Sequence, residues 1–224
     1  MSVILAVESG GENFSAALHI NGESRQVMVD STPHSQKALP IVQSLLAEAG
    51  ITLAKCDAFA FGAGPGRFSG LRLACGIAQA FAFAVERPGV ALNSLAALAE
   101  ANYGDSQNTA FAALPAHRGH AYVGRCRRGE WWVCPRPKLA TTDMPPTRAR
   151  HCCGRGFISA PALLPPRAIL GDIAEADAEA TVKIAVAMYH AGEVLTAPLC
   201  RPLYVRRQVA QTAAERRKNS EAFH

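Results

Sequence analysis

Residues 62–70 read GAGPGRFSG, between the apolar run AFAF (58–61) and the stretch LRLACGIAQAFAFAVE (71–86). An apolar run too short for a helix, then glycines and a proline, then a long apolar segment at helical spacing spells strand, tight loop, helix. Gly62, Gly64 and Gly66 permit positive φ and close backbone approach, and Ser69 can cap the helix. Amides at a helix start attract anions, so Gly62, Gly64, Gly66, Ser69 and Gly70 form a candidate anion-binding corner. The Lys-Ser/Thr pair of a P-loop is missing, and Arg67 stands where GxGxxG needs its third glycine. A phosphate cradle and a purely structural turn both fit this stretch.

Upstream, VILAV (3–7) predicts a buried strand running into the turn ESGGEN (8–13), and FSAALHI (14–20) a second strand. Asn21-Gly22 is a hairpin signal, because both residues tolerate positive φ, and SRQVMVD (24–30) then forms a third strand. In STPHSQKALPIVQSLLAEAG (31–50), Leu39, Val42, Leu45 and Leu46 recur at helical spacing up to the stop at Gly50. Pro40 predicts a kink or a late start there. CDAFAFG (56–62) reads as a buried strand before the loop, and 69–86 as the longest helix. GVAL (89–92) is a short strand, followed by a helix over 93–103 capped by Asn93 or Ser94.

The pattern restarts at AFAALP (110–115), with AYVGRCR (121–127), the turn RGE (128–130) and WWVC (131–134). Two three-strand meanders of matching spacing predict an internally duplicated α/β fold, divided at 1–105 and 106–224. Beyond residue 135 the chain is rich in Pro and Arg, with one clear helical segment at 172–192 and an end expected to fray. Strand–strand–strand–helix–strand–helix, followed by a reduced repeat, is the order of the actin-like, sugar-kinase and heat-shock ATPase folds of RNase H-like type. A generic α/β sandwich is the alternative from pattern alone.

With 49% hydrophobic and 18% charged residues, the 224-residue chain is globular in composition. No apolar run has the length of a membrane span, and MSVILAVESG lacks the basic segment of a signal peptide. Seven irregularly spaced cysteines fit reduced thiols, which makes a cytoplasmic setting the expectation. Residues 1–110 carry six Lys/Arg against nine Asp/Glu, whereas 111–224 carry seventeen against nine. That second half suits nucleic acid, an acidic protein or simply a solvated face. Arg125, Arg127, Arg128, Arg206, Arg207, Arg216, Arg217 and Lys218 would carry any direct nucleic-acid contact.

Catalytic candidates are few. Glu8 closes a buried strand and is either a metal-oriented carboxylate or an exposed strand end. Actin-like ATPases place an Asp at this first turn; a Glu moves the carboxylate by about one methylene, which a tight Mg²⁺ shell tolerates poorly. His34 starts a helix, where a cap or surface contact is the commoner role. His117 and His120, Cys126 and Cys134, and the adjacent Cys152 and Cys153 lack zinc-site spacing. Ser9, Ser69 and Ser94 lack a nucleophile elbow. No catalytic residue and no metal site is assigned. The segment 69–86, apolar around its circumference, predicts burial on every side, covered either by helix 34–49 or by a partner's helices.

Residues 34–100 strongly resemble the bacterial TsaB/YeaZ family, which serves threonylcarbamoyladenosine formation in tRNA. The family loop, close to G-x-G-P-G-S-F-T-G-[LV]-R, is matched by Gly62, Gly64, Pro65, Gly66, Phe68, Ser69, Gly70, Leu71 and Arg72. The resemblance covers 1–105 well, and AALPAHRGHAYVG (112–124) and PLYVRRQVA (202–210) resemble later family segments. Glu8-Ser9 stands where the family has Asp-Thr, and Pro115–Tyr122 departs from D-A-R-x-G-E-V-Y. A catalytic relative of the same fold, TsaD, carries H-x-x-x-H after the strand corresponding to GVAL; here Ser94 and Leu98 stand at those positions, and neither ligates metal as imidazole does.

The resemblance therefore implies a non-catalytic subunit that activates threonylcarbamoyl transfer to the adenosine beside the tRNA anticodon. It implies docking on TsaD through the first two helices, together with the ATPase TsaE, or a homodimer when TsaD is absent. The expected interface is His34, Leu39, Val42, Leu46, Leu71, Ala74, Ile77, Ala78 and Phe81. ATP and Mg²⁺ are implied for the complex, with no cofactor expected on this chain alone, and tRNA is reached through the complex. The alternative is an ATP- or metal-dependent enzyme of the same fold, as the label glycoprotease suggests.

Overall fold

The structure, a computed structural model, describes residues 2–29, 34–116, 119–141, 148–172 and 175–205, with the His34 side chain outside this set. The basic residues Arg206, Arg207, Arg216, Arg217 and Lys218, and His117 of the altered turn, also lie outside it.

The first sheet has the order β3-β2-β1-β4-β5. Its strands are β1 (Val3–Glu8), β2 (Phe14–Ile20), β3 (Glu23–Val29), β4 (Ala58–Gly64) and β5 (Gly89–Asn93). β1, β2 and β3 form an antiparallel meander, while β4 and β5 add in parallel on the other side of β1. The hairpin closes as expected, with Asn21 at φ 54° and Gly22 at φ 95°.

Alternation along the strands sorts side chains by size. Leu5 and Val7 of β1 and Phe59 and Phe61 of β4 face one core. That core lies beneath helices α1 (His34–Glu48) and α2 (Phe68–Ala84). Ile4, Ala6, Ala58 and Ala60 face the other core. The small side chains there let helices α3 (Ser94–Tyr103) and α5 (Ala178–His190) come close to the sheet. Both helices start as their sequences dictate. The Asn93 side chain accepts from Leu95 N–H at 2.9 Å. The Asp177 side chain accepts from Ala180 N–H at 2.8 Å.

The second sheet repeats the design. β6 (Thr109–Pro115), β7 (Ala121–Arg128) and β8 (Trp132–Val133) form the second meander. β10 (His151–Cys153) lies parallel to β6, and β11 (Ile169–Leu170) parallel to β10. The order β8-β7-β6-β10-β11 is thus the first sheet's order again, with β9 (Lys138–Ala140) added on β7. The duplication and the two-subdomain actin-like fold are both present. α3 and α5 form the layer between the sheets, and the short helix α4 (Gly156–Ser159) covers the far face of the second.

Two expectations need correction. α1 starts at His34 and runs through Pro40 without a late onset, since one missing N–H removes only one helical hydrogen bond. The strand runs past Gly62, so Gly64 too is a residue of β4 rather than of the loop, because β5 extends the pairing to Gly64↔Asn93. The chain also returns to the first sheet after residue 106. α5 packs on β1, β2, β4 and β5, and the 3-10 turn Ala197–Leu199 packs on α2. No helix among the described residues is long and apolar enough to cross a membrane.

Candidate functional site

The turn after β1 and the glycine corner are built against each other. Glu8 lies at the end of β1 with only 2% of its surface exposed, so it is not an exposed strand end. Its carboxylate accepts hydrogen bonds from the amides of Ser9 (3.0 Å) and Gly10 (2.8 Å) and from the Ser94 hydroxyl (3.2 Å). Burial outweighs those bonds and pushes the Glu8 carboxyl up to about 7, with the charge of Asp177 adding to the rise.

The glycines make room for this arrangement. A Cβ on Gly62 would fall within the Glu8 carboxylate, and one on Gly70 would overlap the Ser9 carbonyl oxygen. A Cβ on Gly66 would meet the Gly10 carbonyl oxygen at 2.6 Å. Gly64, at φ 119°, precedes a cis Pro65. The Arg67 amide donates to the Gly10 carbonyl at 2.7 Å. The glycine spacing in the sequence therefore records contacts with a turn that lies far back along the chain. Ser69 does not cap α2: the cap position is Arg67, whose side chain makes no capping bond, and Ser69 is an exposed residue of the first helical turn.

Ser94 and Leu98 are both consumed by the interior. The Ser94 hydroxyl holds Glu8, and Leu98 is fully buried in the core between the sheets. Among the described residues, no group of three or more His, Cys, Asp or Glu side chains is arranged to hold a metal ion.

A cavity of about 480 Å³ opens beside this corner, where the first turn, the start of α2, the end of β6 and the segment 203–205 converge. Leu71, Leu114 and Leu203 line it together with the rings of Phe68, Tyr122 and Tyr204. The Phe68 and Tyr204 rings lie 5.4 Å apart. The Arg72 guanidinium covers Phe68 at 3.9 Å, a cation–π contact. At the other end stand Glu12 and Glu175, which the sequence reading did not single out. Glu175 accepts from the Glu12 amide at 2.9 Å, and Arg155 pairs with both carboxylates from the second subdomain. Nothing local in the sequence marks Glu12 or Glu175; only the folding of α5's leading segment over Gly11 unites them.

The expected interface residues divide by face. Val42, Leu46, Leu71, Ala74, Ile77 and Ala78 are buried, most of them against the chain's own first sheet. Phe81 is half-buried, its ring 5.8 Å from Phe59. Leu39 is exposed. α2 is therefore not buried all round: α1 packs on β2 and β3, and among the described residues the outer side of α2 stays exposed. Arg72, Gly76, Ala80 and Phe83 form an outward stripe at helical spacing, and Phe83 is 75% exposed.

Comparison with known proteins bears on this architecture. Residues 28–130 match the family described as TsaD, tRNA N6-adenosine threonylcarbamoyltransferase. Over 221 residues the chain is 28% identical to the tRNA threonylcarbamoyladenosine biosynthesis protein TsaB of Escherichia coli, covering 92% of this chain and 96% of that protein. It is 34% identical to the protein of the same name from Haemophilus influenzae over 127 residues, which span 56% of this chain and about half, 54%, of the relative. A crystal structure from Pseudomonas aeruginosa, described as similar to the peptidase YEAZ, superposes with a TM-score of 0.84 at 30% identity, covering 92% of this chain and all of that one. The sheet order, the glycine corner and these likenesses agree: the chain belongs to the TsaB/YeaZ family.

Proposed function

We propose that the chain serves the biosynthesis of threonylcarbamoyladenosine in tRNA as a non-catalytic subunit, activating a TsaD-type transferase by pairing with it. The observation that carries this reading is the use made of Ser94 and Leu98. At the two positions where the catalytic relative bears histidines, this chain has a hydroxyl spent on Glu8 and a leucine spent on the core. The corner keeps its shape with its side chains occupied inward, and the reactive groups reside on the partner.

The pairing surface follows from exposure. The buried members of the expected set hold the chain together, so contact falls to Leu39 and to the α2 stripe of Arg72, Gly76, Ala80 and Phe83. Gly76 and Ala80 let a partner helix approach closely, and Phe83 supplies a large apolar anchor. TsaE joins this pair, and a second copy of the chain takes the same surface when TsaD is absent. ATP and Mg²⁺ act at the level of the assembly, and tRNA is met through it.

Co-purification with TsaD, followed by a reconstituted tRNA-modification assay with and without this chain, tests the proposal. Activity is expected only when both chains are present. Modification by this chain alone, or ATP turnover by it in isolation, would sink the reading and favour an enzyme of the same fold.

A further inference from the structure

The cavity beside the glycine corner has a chemistry of its own, apart from the tRNA reading. Its walls are aromatic and aliphatic, with Phe68, Tyr122 and Tyr204 among them. Its volume of about 480 Å³ lies within the range of small-molecule pockets. Rings on the walls of a cleft favour a flat, unsaturated ligand, because stacking adds to the burial of apolar surface.

The polar end restricts the ligand further. Anion-binding turns work by leaving backbone N–H groups free to point at the ligand. Here the amides of Ser9 and Gly10 are bound by the Glu8 carboxylate, and that of Glu12 by Glu175. The Arg67 amide is held by the Gly10 carbonyl. The chain's own carboxylates thus occupy the amides of Ser9, Gly10 and Glu12. Among the described residues lining the cavity, the charged groups are Glu12, Glu175 and Arg67. Arg155 already pairs with both carboxylates. A phosphate at this end would face two carboxylates and would have to displace one of them from its amide. Amino and hydroxyl groups, in contrast, can donate to the oxygens of Glu12 and Glu175, since each carboxylate accepts several hydrogen bonds.

We propose that this cavity binds a planar heteroaromatic ligand carrying hydrogen-bond donors and no phosphate, of which a free nucleoside is the type, and that it discriminates against the corresponding nucleotides. The ring lies among Phe68, Tyr122 and Tyr204, and the sugar hydroxyls donate to Glu12 and Glu175.

Isothermal titration of the full chain with adenosine, guanosine, cytidine, AMP and ATP tests this, alongside the variants Tyr204→Ala and Glu175→Gln. Tyr204 is exposed along one side, so its removal leaves the cores intact, which circular dichroism checks. Saturable binding of at least one nucleoside is expected, with the matching mono- and triphosphates bound at least about tenfold more weakly. Tyr204→Ala should weaken nucleoside binding by a similar factor, and Glu175→Gln should narrow the gap between nucleoside and nucleotide. The proposal is overturned if no nucleoside binds at millimolar concentration, if ATP binds as well as adenosine, or if a folded Tyr204→Ala variant binds unchanged. None of these results depends on TsaD, so the pairing reading stands or falls separately.

Discussion

Glu8 is the residue whose environment matters most. A carboxyl pushed up to about 7 by burial holds its proton more tightly in the folded chain than in the unfolded one. Stability contributed by this group is therefore fully present below the ordinary carboxyl value of 4.5, falls as pH rises through about 7, and is level above that. The full span corresponds to roughly 3 kcal/mol. Glu8→Gln keeps an oxygen for the Ser9 and Gly10 amides and removes the titration. Thermal melts from pH 5 to pH 8 should show a wild-type midpoint that declines with pH, at about 2–4 °C per kcal/mol for a chain of this size. The Gln variant should decline less over that interval and melt higher at pH 8. Parallel curves for the two proteins would show that Glu8 titrates as an ordinary surface carboxylate.

At the scale of elements, α2 carries two opposed faces, and substitutions separate them. Phe83 projects from the outward stripe, so Phe83→Glu should leave the fold and its melting midpoint nearly unchanged. The same substitution should weaken association with TsaD, or self-association, by roughly tenfold or more, the loss of an anchoring contact. Ile77 lies nearly two turns earlier on the inner face, only 7% exposed. Ile77→Glu should instead cost several kcal/mol of stability by placing an unpaired charge in the core. Light scattering and thermal denaturation on both variants distinguish the faces. Loss of fold in the Phe83 variant, or a stable and dissociated Ile77 variant, would reverse the assignment.

The molecule as a whole is a duplicated sheet pair closed around α3 and α5, and all seven thiols lie in its interior. Cys56, Cys75, Cys152 and Cys153 are all pushed above the ordinary thiol range, with burial as the leading cause. Thiol alkylation of the native protein at mildly alkaline pH should accordingly be slow at Cys56, Cys75, Cys152 and Cys153. All seven should react promptly after addition of guanidinium chloride. A fast-reacting native thiol would reveal local opening of one subdomain, and peptide mapping would say which.

Local pattern was sufficient for much of this fold. The largely apolar runs at 3–7 and 14–20, the Asn21-Gly22 turn, the helical spacing of 34–49 and the repeated meander at 110–134 each depend on neighbours within a few residues. Sequence alone therefore determined the order of the elements up to residue 134, the duplication and the family likeness of the corner at 62–70. The face each helix presents was decided elsewhere: α2 looks uniformly apolar, and only its docking on β1, β4 and β5 separates Ile77 from Phe83. The burial of Glu8 and the meeting of Glu12 with Glu175 were likewise decided by tertiary structure. Electrostatic environment depends on groups that converge in space, and here Ser94, Asp177 and Arg155 arrive from far along the chain.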